Sequence, residues 1–192
     1  MPKSVPPALR SGLLLITLLV TVFTVRWWYF KPNVRRGTAA PLILTTDASG
    51  QLFSLDQYQH EYVYLNFWGS WCGPCLAKIP ELKKVRREFS SEELKMVHVA
   101  VEDDSLRWRA ALDRLDIPAD VHLLNLSSSL RFFDGDIVQD YGVNEVPNAF
   151  LIAPGGTTVA YNPDRAKIRQ LLKDGHSTKR PGSGSIQNLD PE

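Results

Sequence analysis

Apolar residues divide the chain into one continuous segment near its start and a longer region of short alternating segments. Leu13 to Val25 holds only apolar residues and threonines, and after Arg26 an aromatic cluster fills residues 27–30. The result is about eighteen residues, near the lower limit for a helix that crosses a bilayer. Arg26 can snorkel to the interface, where aromatic side chains also collect. We predict a transmembrane anchor at residues 13–30, after a short tail at 1–12 and before a linker at 31–40.

A cleaved signal peptide is the alternative, since Lys3 and Arg10 form a basic leading region. An uncleaved signal-anchor is favoured, because aromatic and basic residues follow where a cleavage site needs small ones. Basic residues are also more frequent after the segment than before it. Taken alone, this bias would keep the following domain in the cytoplasm. The residues after the segment are Arg26, Lys31, Arg35 and Arg36.

From Pro41 onward, segments with strand character alternate with helical ones. Tyr62–Phe67 is rich in aromatic and β-branched residues and predicts a buried strand. A central strand is predicted around Val97, Val99 and Val101. Turn residues join two predicted hairpins, and one further strand lies between them. The hairpin strands are 42–45 with 51–54 and 149–152 with 157–161, and the further strand is 121–124.

Helices are predicted where apolar residues recur at steps of three and four, at 76–89 and 106–115. A last helix is predicted from Asn162 as N-cap and Pro163 as first residue to Gly175. Residues 127–141 follow no clear pattern beyond a short helix or two around Gly135. The segment 176–192 is poor in large apolar residues, which predicts a disordered tail.

Strand-helix alternation that ends in a hairpin and a helix indicates an α/β fold, a mixed sheet between helices, over residues 41–175. The pattern is compatible with a thioredoxin fold without singling it out. With 44% hydrophobic and 22% charged residues, the composition is that of one ordinary globular domain. The net charge of +1 gives no indication of a nucleic-acid partner.

The two cysteines of the chain, Cys72 and Cys75, begin a predicted helix three positions apart. At this spacing they are within disulfide reach, and a helix N-terminus stabilises a thiolate. We therefore predict Cys72, beside Trp71, as the nucleophile and Cys75, one turn later, as the resolving thiol. Pro74 suits an early helical position, and Gly73 leaves room for an approaching substrate backbone.

A structural disulfide and a metal site are the two other uses of a cysteine pair. A structural disulfide across so short a loop would add little stability in the chain-entropy account. A zinc or copper site needs further ligands, and the histidines show no metal-type spacing against the cysteines or one another. These are His60, His98, His122 and His176. Redox exchange is therefore favoured, and neither a metal nor a cofactor is predicted.

The segment 64–75, with the sequence YLNFWGSWCGPC, resembles the active site of the membrane-tethered thioredoxin-like reductases called the TlpA/ResA family. The resemblance continues at 79–82, 141–147 and 149–152, so it covers about residues 41–175. It implies a thioredoxin fold with an N-terminal β-hairpin. It also implies a cis peptide bond before Pro147, opposite the cysteines, with the Val146 backbone exposed to pair with a bound peptide. The alternative for Pro147 is an ordinary proline at the start of a strand, with no role at the site.

This sequence departs from related patterns near the cysteines. Asn66 stands where cytosolic thioredoxins carry a buried aspartate, although asparagine is common in this family. Lys78 stands where many members of the family have a glutamate suspected of tuning the thiols. A cation near the helix start would favour thiolate electrostatically, but a solvated Lys78 that points away from the site is the favoured expectation, and Glu81 is a candidate substitute for the missing carboxylate.

The resemblance implies a single-pass reductase of the bacterial inner membrane with its catalytic domain on the periplasmic side. This orientation is opposite to the one that the basic residues after the apolar segment favour. The clients of this reductase would be disulfide-containing proteins such as apocytochrome c, in cytochrome c biogenesis, or a metal-site assembly protein. An inner-membrane thiol carrier would supply electrons. The rivals are a disulfide-forming oxidant or isomerase, and a copper-handling or client-binding module that uses the thiols as ligands.

Overall fold

The computed structural model describes residues 7–29, 34–128 and 133–178. Its centre is a five-stranded mixed sheet in the order β5-β4-β3-β6-β7. The bounds of its strands are β3 Tyr62–Trp68, β4 Leu94–Glu102, β5 Val121–Leu126, β6 Asn148–Ala153 and β7 Thr157–Tyr161. Strands β3, β4 and β5 are parallel to one another, β6 pairs antiparallel with β3, and β7 pairs antiparallel with β6. This confirms the predicted mixed sheet.

A separate hairpin precedes the sheet, formed by β1 (Leu44–Thr46) and β2 (Leu52–Ser54). A short 3-10 helix at Leu55–Tyr58 follows it. The backbone N–H of Ala48 donates a hydrogen bond of 2.9 Å to the carbonyl oxygen of His122, on the edge strand β5. The predicted N-terminal hairpin is therefore confirmed, and its turn is held to the edge strand β5.

Five α-helices complete the described part of the chain. They are α1 Pro7–Tyr29, α2 Gly73–Glu88, α3 Ser105–Leu115, α4 Asp136–Asp140 and α5 Arg165–Thr178. Helices α2, α3 and α5 contribute to the core on one face of the sheet, through side chains such as Leu82, Trp108 and Ile168. Helix α4 and the hairpin cover the other face, where Val138 and Phe53 are buried.

The last helix differs from its predicted bounds at both ends. Asn162 has a left-handed backbone (φ 45°), and its Oδ1 accepts a hydrogen bond of 2.7 Å from Ala149 N. Asp164 caps α5 instead, since its Oδ1 accepts from Lys167 N at 2.7 Å. Gly175 lies inside α5, where a Cβ would collide with the Tyr62 hydroxyl. The glycine therefore permits a close contact and does not end the helix.

Two predictions concern residues that are described only in part. The predicted disordered tail overlaps α5 as far as Thr178, and its remainder, 179–192, lies outside the described residues. Helix α1 covers most of the predicted anchor, and large apolar side chains from Leu13 to Val25 are exposed. Among the residues described, no helix has the length and apolar character to cross a membrane. The anchor therefore stays a prediction.

Candidate active site

The end of β3 places both cysteines at the start of α2. All seven residues of β3 are buried, and the strand lies between β4 and β6 in the middle of the sheet. Cys72 is the N-cap of α2, with an extended backbone (φ −90°, ψ 97°), and Pro74 occupies the first turn. A proline is tolerated there because its missing N–H would have no partner within the helix. The predicted helix start is confirmed.

The cysteines form a disulfide, with an S–S distance of 2.07 Å and a Cα–Cα distance of 5.2 Å. The backbone N–H of Cys75 donates to Cys72 Sγ at 3.1 Å. Capping of this kind places the sulfur of Cys72 at the positive end of the helix. A charge left on that sulfur after reduction is therefore stabilised, which agrees with Cys72 as the nucleophile.

Both cysteines are almost fully enclosed in the disulfide form, each with 4% of its surface exposed. The expectation that Cys75 is shielded fits this burial, but Cys72 is no more exposed. Gly73, beside them, has open space where a Cβ would be. The space at Gly73 is therefore open, as the absence of a side chain there predicts.

Trp71 is the exposed aromatic residue of the site, with 42% of its surface open to solvent. Its indole N–H donates to Val101 O at 2.9 Å, which ties the ring to the end of β4. The ring lies over Gly69, where an added Cβ would come within 2.7 Å of it. Trp71, next to Cys72 in the chain, is thus fixed at the end of β4.

Pro147 and Val146 lie opposite the disulfide, immediately before β6. The Val146–Pro147 peptide bond is cis, which confirms the prediction. The carbonyl oxygen of Val146 is 3.6 Å from Cys72 Sγ. This carbonyl therefore lies beside the sulfur of the predicted nucleophile.

A small cavity of about 10 Å³ lies behind Cys75, between α2 and the sheet. Asn66 and Lys78 line it, so two of the predicted supporting residues are brought next to the resolving cysteine. Lys78 itself is exposed. His98 and Pro147 also line the cavity, together with apolar side chains.

Glu81 does not replace the family glutamate beside the thiols. Its carboxylate pairs with Arg165 at 3.0 Å and Lys84 at 3.1 Å, and it is not among the residues that line the cavity. One helical turn beyond Lys78, Glu81 faces α5. The pKa of Glu81 is lowered, because Lys84 and then Arg165 hydrogen-bond to it.

Glu102 is a buried carboxyl that is not among the residues predicted from the sequence. It ends β4 with none of its surface exposed, and its Oε1 accepts a hydrogen bond from Ser70 N in the loop before Cys72. Burial raises the pKa of Glu102, while the bond from Ser70 opposes the rise. The sequence does carry a signal for this position, because Glu102 directly follows the predicted central strand. The carboxyl ends of parallel strands lie at the same edge of a sheet, so Glu102 lies near the loop that follows β3.

His98, which shows no metal-type spacing in the sequence, is fully buried on β4. Burial lowers its pKa to about 3, with a smaller contribution from His122. The signal in the sequence was a histidine within an otherwise apolar central strand. Within residues 7–29, 34–128 and 133–178, no three His, Cys, Asp or Glu side chains are grouped so that they could hold a metal ion.

Comparison with known proteins gives the same chemistry. The Redoxin family model matches residues 32–162. The thiol-disulfide oxidoreductase ResA of Bacillus subtilis is 27% identical over 158 residues, 79% of this chain and 81% of its own length. ResA of Geobacillus kaustophilus is 25% identical over the full length of both chains.

Solved structures with low sequence identity share the fold. The thioredoxin domain of a thiol-disulfide oxidoreductase from Bacteroides vulgatus aligns with a TM-score of 0.62 and 22% identity, over 74% of this chain and 99% of that domain. A thioredoxin described as an exposed lipoprotein of Streptococcus pneumoniae gives a TM-score of 0.57 and 23% identity, over 70% of this chain and 99% of its own. The predicted thioredoxin fold is confirmed. The chain belongs to the Redoxin family, as a thioredoxin-fold thiol-disulfide oxidoreductase.

Proposed function

We propose that the protein reduces disulfides in extracytoplasmic client proteins, with Cys72 as the attacking thiol and Cys75 as the resolving one. The observation that carries this proposal is the capping of α2 by the Cys72 sulfur, which accepts the Cys75 N–H at 3.1 Å. A thiolate at this position gains from the helix dipole and from the unpaired N–H groups of the first turn. The chemistry of thiol-disulfide exchange requires such a thiolate.

The reaction starts from the dithiol form. The Cys72 thiolate attacks one sulfur of the client disulfide, forms a mixed disulfide, and expels the other client sulfur as a thiolate that takes up a proton. Cys75 then loses its proton and attacks Cys72 Sγ. This step forms the Cys72–Cys75 disulfide and releases the second client thiol. Two electrons and two protons pass to the client, and an external thiol donor must return them to the protein.

Client binding is proposed at the surface formed by Trp71, Gly73 and Val146. The Val146 carbonyl is 3.6 Å from Cys72 Sγ, and the space over Gly73 is open. An extended client segment can therefore pair with the Val146 backbone while its disulfide meets Cys72. The exposed face of Trp71 adds apolar contact beside the same sulfur.

We place the clients among proteins of cytochrome c maturation, such as apocytochrome c, or of metal-site assembly. The electron donor in this proposal is a thiol carrier of the inner membrane. These assignments rest on the resemblance to the TlpA/ResA family. In such a pathway the cysteines must be reduced before a haem or a metal can bind to them.

Membrane attachment through residues 13–30 belongs to the same proposal, with the catalytic domain on the periplasmic side. The support lies in α1, whose exposed apolar side chains occupy consecutive positions and so surround the helix. Its threonines bond back to the helix, as Thr21 Oγ1 does to Thr17 O at 2.7 Å and Thr24 Oγ1 to Val20 O at 2.9 Å. Hydroxyl groups satisfied in this way are suited to an apolar surrounding.

Trapping tests the proposed order of the two thiols. Cys75→Ala should retain a client on Cys72 as a mixed disulfide that reducing agent releases, because the resolving thiol is missing. Cys72→Ala is the matched control and should trap nothing above background. Equal trapping by both variants would contradict the assignment, and mass spectrometry of the trapped species would identify the client.

The reduction potential tests the direction of the reaction. A reductase should lie near the roughly −270 mV of thioredoxin, whereas a disulfide-forming oxidant lies near about −120 mV. Equilibration of the purified domain with glutathione or dithiothreitol buffers measures it. A potential near that of the oxidant would contradict the proposed reductase and favour a disulfide-forming oxidant.

Protease treatment of intact spheroplasts tests the location. Digestion of the domain, with a cytoplasmic marker protected, supports the periplasmic side. Protection of the domain would show that the basic residues after the anchor set its orientation. Extraction of membranes with alkaline carbonate should leave the full chain in the membrane fraction and would release it if residues 13–30 do not anchor it.

A further inference from the structure

His98 occupies the centre of the sheet directly behind the resolving cysteine. In the strand register it lies between Asn66 on β3 and His122 on β5. Asn66 and Trp68, on the same face of β3, line the cavity behind Cys75, and His98 lines it from β4. The backbone register therefore brings a titratable ring to the buried side of the disulfide.

The imidazole of His98 is fully buried, yet neither ring nitrogen hydrogen-bonds to another group among the described residues. Buried polar atoms in native proteins are usually satisfied by protein or by ordered water. Its ring meets that of His122 edge to face, with centroids 5.9 Å apart, which provides packing but no hydrogen bond. The free nitrogens of His98 are consequently available to the cavity.

The size and lining of this cavity fit one water molecule. Its volume of about 10 Å³ is close to the minimum that a single water requires. A water needs two to four polar partners, and three residues that line the space, His98, Asn66 and Cys75, carry side-chain atoms able to hydrogen-bond. One water there can connect the sulfur of Cys75 to a ring nitrogen of His98.

We propose that His98, through a water molecule in this cavity, accepts the proton that Cys75 loses when it resolves the mixed disulfide. This inference rests on the proposed function and adds a role to the second of its two steps. None of the residues predicted from the sequence around the cysteines has a side chain that can take up this proton and also lies in the cavity. Asn66 cannot titrate, Lys78 is a cation, and Glu81 pairs with Arg165.

The proton balance of this step is complete. The Cys75 thiol gives its proton to the bridging water, which passes a proton to His98. The Cys75 thiolate attacks Cys72 Sγ, and the bond between Cys72 and the client breaks with its electron pair on the client sulfur. The imidazolium then returns its proton through the water to solvent, and the client thiolate takes one from solvent.

The surroundings of His98 keep it in the form that accepts a proton. Burial lowers its pKa to about 3, so the ring is neutral at rest near pH 7, and the same burial opposes protonation until a negative charge forms beside the ring. The titratable groups that face it are Cys75 and Lys78 from α2 and His122 from β5, whereas β3 contributes the uncharged Asn66. A negative charge forming on Cys75 favours the imidazolium, and that charge exists only during resolution.

The two steps can be measured separately with a disulfide peptide that carries a fluorophore and a quencher on its two halves. Stopped-flow fluorescence reports formation of the mixed disulfide, and acid quenching with mass analysis reports its resolution. We expect His98→Leu to slow resolution about 100- to 10,000-fold at pH 7, the range for loss of a general base, with the first step unchanged. The slowed rate should rise with pH, as solvent hydroxide replaces the ring.

His98→Gln is the second variant, because an amide keeps a hydrogen-bonding group at the cavity but takes no proton; it should be slow as well. His122→Gln is the matched control, on the same face of the sheet and outside the cavity lining, and should resolve at the wild-type rate. Resolution by a folded His98→Gln or His98→Leu at the wild-type rate from pH 5 to 9 would overturn the inference. So would an equal loss in His122→Gln. Failure of wild type to form the mixed disulfide would instead overturn the proposed function.

Discussion

The backbone N–H of Cys75 donates a 3.1 Å hydrogen bond to the sulfur of Cys72, so the resolving residue helps to hold the attacking atom at the helix start. The same N–H lies 3.0 Å from the Cys72 carbonyl, which begins the hydrogen bonding of α2. Reduction frees the Cys72 sulfur without removing this donor. The geometry of the helix start therefore favours a thiolate on Cys72 in the dithiol form.

Gly69→Ala should displace the Trp71 ring. The new Cβ would lie 2.7 Å from the indole, so the ring must move and give up its hydrogen bond to Val101. Loss of that bond should destabilise the protein by about 1 kcal/mol in urea unfolding, and client reduction should fall because Trp71 borders Cys72.

A double-mutant cycle provides the control for this prediction. In a Trp71→Ala background the clash is absent, so the cost of Gly69→Ala should largely disappear. The same cost in both backgrounds would mean that Gly69 is required for its backbone and not for the indole.

Asp164→Ala should lower the free energy of unfolding by about 1 kcal/mol, because Asp164 caps α5 through Lys167 N. Asp164→Asn keeps an oxygen acceptor and should cost much less. Urea unfolding of the three proteins measures the difference. Equal losses in both variants would show that charge, and not capping, is what Asp164 contributes.

Glu88 links α2 to α5 and predicts a pH dependence of stability. Its carboxylate accepts hydrogen bonds from Arg169 and from Arg165, the latter at 2.9 Å. These bonds, that of Arg169 first, lower the pKa of Glu88 from 4.5 to about 2. Since the folded state favours the ionised form, the stabilisation is complete above pH 4.5 and is lost as the pH falls towards 2.

The comparison of wild type with Glu88→Gln measures this effect. The variant should be less stable at pH 7, and the gap between their urea midpoints should close between pH 4.5 and 2. High salt should narrow the gap at pH 7, because the pair is partly exposed. A gap that stays constant down to pH 2 would contradict the role given to Glu88.

The elements of the fold were largely predictable, because strands and helices impose periods of two and 3.6 on apolar residues. Strand β3, both hairpins and the cysteine-bearing helix follow from local sequence. The start of α5 could not be predicted in this way, since Asn162 and Asp164 are both good capping residues. The choice between them depends on Ala149, a residue from another strand, which occupies the Asn162 oxygen.

The cysteine pair was predictable for the same local reason, but its surroundings were not. His98 and Glu102 reach the site through the pairing of β4 with β3, and a single sequence does not reveal strand register. Glu81 was misassigned because its neighbour across space, Arg165, lies 84 positions away along the chain. Contacts of this length are set by the whole fold.

The ionisation of Cys72 tests the central claim most directly. The rate of alkylation of the reduced protein by iodoacetamide, measured from pH 4 to 10 in the Cys75→Ala background, gives the pKa of the Cys72 thiol. The geometry of the α2 start predicts a pKa below about 7.5, within the range of thiols activated at helix N-termini. A pKa near the roughly 8.5 of a free cysteine, with no reduction of insulin by the wild-type protein, would contradict it.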